Sequence, residues 1–112
     1  MHEALVLIED KIDKIDEIIR QKGSIVAALN DETLARPAIL MHLTSIAEQF
    51  GRLQNALEYE ILSKFDKEDI RGAFAVRNFI AHDYEGVNLA IIEGVIREYL
   101  PRIKSIIGSI KQ

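Results

Sequence analysis

From Leu5 the apolar residues recur as Leu5, Ile8, Ile12, Ile15 and Ile19, in steps of three and four, with Glu9, Asp10, Asp13, Asp16 and Glu17 between them. A helix gathers such positions into one stripe, whereas a strand would scatter them over both faces. The spacing predicts an amphipathic helix of about five turns, closed by Gln21-Lys22-Gly23 as a basic last turn and a glycine stop. Its acids are expected to face water, either as a solvated face or as a seat for a basic partner. An apolar stripe on that scale must be buried against another element, and the rest of the chain supplies several of the same kind.

Residues 24–36 are open between a short helix, a loop, and a helix starting at Asn30-Asp31-Glu32-Thr33 with Asn30 or Asp31 as its cap. A long helix is predicted from Pro37, at home in a first turn, to Leu62, with Gly51 tolerated inside it at about 1 kcal/mol. Asp66 reads as the N-cap of the next helix, with Glu68 and Asp69 at the positive end of its dipole. That helix carries Ile70, Phe74, Arg77, Asn78 and Ala81 and should end near His82. Gly86 turns the loop that follows, Asn88 caps a last helix through Ile107, and Pro101 predicts a kink within it.

The chain has 48% hydrophobic but only 6% aromatic residues, no tryptophan and two prolines, a balance that suits packed helices. At 112 residues one domain spanning 1–112 is expected, an all-α, up-down bundle of four main helices, with a fifth as the alternative. No cysteine is present, which excludes disulfides and thiolate metal sites. The charged first helix lacks the apolar run of a leader or a membrane span, so a soluble cytoplasmic protein is expected, without a membrane partner. The net charge of −4 argues against holding nucleic acid on a broad basic surface. It is uneven: residues 1–62 carry 6 Lys/Arg against 11 Asp/Glu, and residues 63–112 carry 8 against 7. A polyanion would meet the second half.

In that half lies Val76-Arg-Asn-Phe-Ile-Ala-His-Asp-Tyr84, with five polar or titratable side chains among apolar ones that resemble an inward stripe. Asn78 and His82, four apart, share a face; Arg77 and His82, five apart, point roughly 140° from each other. They meet only if the helix unwinds at His82, or if two copies pack so that Arg77 of one approaches His82 of the other. The chemistry suits a phosphodiester. Arg77 can clamp a phosphate bidentately and stabilise transition-state charge. His82 titrates near neutrality and can take a proton from a ribose 2′-hydroxyl or give one to the leaving oxygen. Asn78 can orient the imidazole or hold a phosphate oxygen, and Tyr84 offers a hydroxyl and a stacking face. No acidic cluster with metal spacing accompanies them, so metal-independent RNA cleavage without a cofactor is the expected reaction.

The plainer reading is that His82 caps carbonyls and Arg77 pairs with Asp83 or Glu85. Arg71, two turns before Asn78, either widens a basic strip for RNA or forms a surface ion pair. His42 reads as a core or interface histidine, His2 as a solvated terminal residue, and Tyr59 and Tyr99 as packing residues.

Arg77-Asn78-Phe79-Ile80-Ala81-His82-Asp83-Tyr84 resembles the Arg-x4-His-x-Tyr motif of the HEPN superfamily, and specifically of its HepT-like toxins. The stretch from Glu85 to Ile107 is similar to that family's closing helix, including Leu100-Pro101. Asn88 stands where many relatives have aspartate, and the tryptophans common around the motif are absent. The resemblance implies a homodimer whose cleft holds both motifs and a metal-independent endoribonuclease toxin acting on transfer or messenger RNA. Arg77 and His82 would be catalytic with Asn78 in support. Tyr84 looks like the tyrosine to which a partner nucleotidyltransferase of the MntA type attaches AMP, silencing the toxin by charge and bulk beside the cleft. Some related bundles are instead noncatalytic, presenting a nucleotide or nucleic acid to a nucleotidyltransferase.

Overall fold

The predicted first helix is α1, Glu3–Lys22, in the computed structural model, which describes residues 1–111; Gln112, the end of the expected domain, lies outside the described residues. Leu5, Ile8, Ile12 and Ile15 are buried as the periodicity requires. Gly23 ends the helix at φ 96°, a left-handed conformation natural to glycine, and its N–H donates to the Ile19 carbonyl at 2.9 Å. His2 is not simply solvated: its Nδ1 accepts the Ala4 amide N–H at 3.0 Å and caps α1.

The open segment holds a short helix α2, Ile25–Asn30, capped by Ser24. Leu34 is the N-cap of the next helix, α3, Ala35–Asn55, and the Asp31 carboxylate before it accepts the amide N–H groups of Ala35 at 3.1 Å and Leu34 at 3.4 Å. The Lys22 ammonium, 2.9 Å away, and then the Ala35 amide hold the Asp31 carboxyl well below the usual carboxylate range. Pro37 sits in the first turn of α3, where its missing N–H costs nothing.

The long helix expected to reach Leu62 is broken. Leu57 adopts φ 58°, and the amide N–H groups of Leu57 and Glu58 donate back to Gln54 and Leu53, each at 3.0 Å. That pair of bonds is a Schellman close built on a leucine, so neither glycine nor proline marks it in the sequence. A four-residue helix α4, Tyr59–Leu62, follows. Tyr59, expected to pack, is 64% exposed because it lies beyond the break.

Asp66 caps α5, Lys67–His82, by accepting the Glu68 amide N–H at 2.8 Å. Its buried stripe is Asp69, Ala73, Val76 and Ile80. This lies one position off the expected face; Ile70 and Phe74 only flank the core, and Arg77 and Asn78 are turned outward. Asn88 caps the last helix through the amides of Ala90 and Ile91. The helix runs as α6, Leu89–Gly94, a π-helical stretch Val95–Tyr99, and α7, Leu100–Lys111. The expected disturbance at Pro101 takes that form: the Leu100 N–H reaches back five residues to Val95, widening the turn just before a residue that cannot donate.

The four long units are α1, α3, α5 and the α6–α7 helix, with no strand among the described residues. Arg52 pairs with Glu3 while Lys22 pairs with Asp31, and Lys104 pairs with Asp13 while Lys111 pairs with Glu9, so α1 runs antiparallel to both α3 and α7. Asp13, Asp16 and Glu17 on the acidic face of α1 stay exposed as expected, the first two reached by Lys104 from α7. Between α5 and α7 the Asp69 carboxylate, 2% exposed, takes three hydrogen bonds from Arg102 at 2.7 to 3.1 Å. The Arg102 guanidinium also lies over the Tyr99 ring, which packs so closely on Gly72 that a side chain there would collide with it.

Candidate functional site

The motif occupies the last turn and a half of α5 and the loop after it. Arg77 is half-buried and lies across Phe74, its guanidinium carbon 5.3 Å from the ring centroid. Its Nη2 makes a long 3.4 Å hydrogen bond to the Asn78 side-chain oxygen. Phe74 precedes Arg77 by three residues and so lies on the same side of the helix, a spacing that marks the pair in the sequence. The ring lies under the guanidinium, whose one hydrogen bond among the described residues is the long one to Asn78.

Six of the seven arginines, at 20, 36, 52, 71, 97 and 102, lie within 4.0 Å of a carboxylate. Among the described residues Arg77 is the one arginine that does not. The plainer pairing with Asp83 or Glu85 is absent because Asp83 turns into its own loop, where Oδ1 accepts the Gly86 N–H at 3.0 Å. A side chain on Gly86 would run into that carboxylate and displace it. Arg71 is 3.1 Å from Glu68 with both side chains well exposed, which is the surface-pair arrangement.

His82 is the last residue of α5, exposed, with Asn78 one turn earlier and also exposed. Arg77 and His82 do not share a contact within one chain, as their five-residue spacing anticipates. Tyr84 is 40% exposed, two residues beyond His82. His82 stands at the rim of a cavity of about 230 Å³ between the end of α5 and the start of α6, lined by Phe79, Val87, Ile91 and Ile92. Phe79 is 50% exposed, so an aromatic face opens into it. The sequence reading missed this cavity, because neither Phe79 nor Ile91 was singled out there and the loop that brings them together carries no periodic signal.

His42 is half-buried on α3, and burial followed by the nearby charges of Lys11 and Lys14 pushes its imidazole below the usual value. It belongs to the α1–α3 seam. Among the described residues no three His, Asp or Glu side chains gather where they could hold a metal ion. No described helix is long and apolar enough to cross a membrane.

The all-α bundle, with Arg77 and His82 at the end of α5 and Tyr84 in the loop after it, fits a HEPN-like fold. The model of the family described as "Ribonuclease HepT-like" matches residues 8–110. The chain belongs to that HepT-like ribonuclease family. No match is found among the curated proteins or the solved structures.

Proposed function

We propose that the protein is a metal-independent endoribonuclease toxin, working in the cytoplasm as a homodimer on transfer or messenger RNA. Arg77 binds and neutralises the scissile phosphate. His82 removes the 2′-hydroxyl proton as that oxygen attacks phosphorus, and protonates the departing 5′-oxygen, leaving a 2′,3′-cyclic phosphate and a 5′-hydroxyl. Asn78 supports them by holding Arg77 or a phosphate oxygen. The observation that carries the reading is the unpaired Arg77, lying across Phe74 in a chain whose other arginines are all matched to carboxylates. An arginine left open on the same helix end as an exposed histidine is arranged for an anion from outside.

Because Arg77 and His82 diverge on one helix, each working site takes one of them from either copy. The neutralising partner is a nucleotidyltransferase of the MntA type, which attaches AMP to the exposed Tyr84 hydroxyl and so fills the cleft with charge and bulk.

The purified, unmodified protein should cut transfer or messenger RNA in EDTA, with cleavage lost in Arg77→Ala and His82→Ala. A folded dimer that cuts nothing would favour instead a noncatalytic subunit presenting a nucleotide to its partner. Incubation with ATP, magnesium and the nucleotidyltransferase should add AMP masses to the parent and none to Tyr84→Phe; equal addition to both would move the modification elsewhere.

A further inference from the structure

The cavity beside His82 is more than a gap between helices. Ile92, 1% exposed, forms its floor, while Phe79 and Ile91 wall it with large apolar surface left open to solvent. At about 230 Å³ it has room for a flat heteroaromatic ring pressed against the Phe79 face, with the attached sugar outside. Its polar rim has capacity to spare. Asp83 spends Oδ1 on the Gly86 amide and keeps Oδ2; Asn88 spends its oxygen on the cap of α6 and keeps its amide N–H groups. The rim thus offers a carboxylate acceptor and amide donors.

We infer that this cavity binds a purine base of the RNA, that Phe79 stacks on it, and that Asp83 reads it, with guanine preferred. Guanine presents two adjacent N–H donors, one for the free Oδ2 of Asp83 and one for the second lone pair of Oδ1, whose first already takes the Gly86 amide, and a carbonyl oxygen for the Asn88 amide; adenine presents a single amino group. A base seated there sets its ribose next to His82, where the 2′-hydroxyl must lie for the proposed reaction. The assignment therefore rests on the ribonuclease reading for its purpose, although binding can be measured without it.

The test is a titration of the full-length protein with GMP, AMP and ribose 5-phosphate, followed through the backbone amide NMR signals. GMP should move the Phe79, Gly86, Val87 and Ile91 amides, AMP should bind about tenfold more weakly, and ribose 5-phosphate should leave those amides still. Asp83→Asn keeps an acceptor for Gly86 and should erase the preference for GMP. Phe79→Ala should lower kcat/KM on RNA about tenfold.

A preference for AMP would overturn the assignment to RNA guanine and point to the adenosine attached at Tyr84. Amides that respond equally to ribose 5-phosphate, or only to dilution of the protein, would overturn it too, the latter because a second copy fills the cavity. If RNA is cut, GMP has no effect and Phe79→Ala cuts like the parent, the base site falls alone. If GMP binds as described and no RNA is cut, the site stands and the proposed reaction falls.

Discussion

Exposed His82 ends α5 without supporting the fold, so His82→Ala should leave stability within about 0.5 kcal/mol of the parent. Cleavage should fall about 10²- to 10⁴-fold, the usual share of general acid–base catalysis. Urea unfolding and initial cleavage rates separate the two effects. Arg102 behaves in the opposite way. Arg102→Met strands the Asp69 carboxylate, 2% exposed, among Ala73, Val76 and Tyr99 and should cost about 3 kcal/mol. Asp69→Ala should cost less, because the half-exposed guanidinium then turns to water. Equal losses in urea melts would show that packing, rather than the stranded charge, holds this corner. The contrast explains which residues were legible. The motif is contiguous, so a candidate site could be proposed from the chain alone, whereas Asp69 and Arg102 lie 33 positions apart and Asp69 passes for an ordinary first-turn acid.

At the scale of elements, helices were read correctly wherever local signals and apolar period agreed. Asp66 and Asn88 cap the helices that follow them, and Gly23 stops α1; residues 24–36, left open in the sequence, carry weaker signals. The break after α3 escaped because Leu57 takes a conformation normally given to glycine. A leucine there costs about 1 to 2 kcal/mol, and at 66% exposure it recovers little by packing. Leu57→Gly should therefore stabilise the protein by up to about 1 kcal/mol after its own entropic cost. The melting temperature would rise by roughly 4 °C; an unchanged or lower value would mean that the Leu57 side chain has a contact worth more than the strain. The π-helical stretch before Pro101 was foreseen only as a kink. Proline tells that hydrogen bonding must be rearranged, but the choice of a widened turn depends on Tyr99 settling on Gly72, a neighbour from another helix.

For the whole molecule, the Cα radius of gyration of 13.6 Å is that of a compact chain of this length, about 13 Å. One copy buries its own core, while Arg77 and His82 do not meet on it, so the proposed site calls for a second copy. This makes the dimer testable through chemistry. Arg77→Ala and His82→Ala are each inactive in the proposed scheme, yet a heterodimer of the two contains one site with Arg77 from the second chain and His82 from the first. Random mixing makes half the dimers hybrid, each with one of two sites restored, so about a quarter of parental activity should return. Mixing after partial unfolding and refolding, with cleavage followed against the ratio of the two variants, would give a maximum at equal amounts. Activity that stays at zero at every ratio would place both groups of a site on the same chain. The end of α5 would then have to unwind at His82 to bring them together, and the cavity beside it would change shape with it.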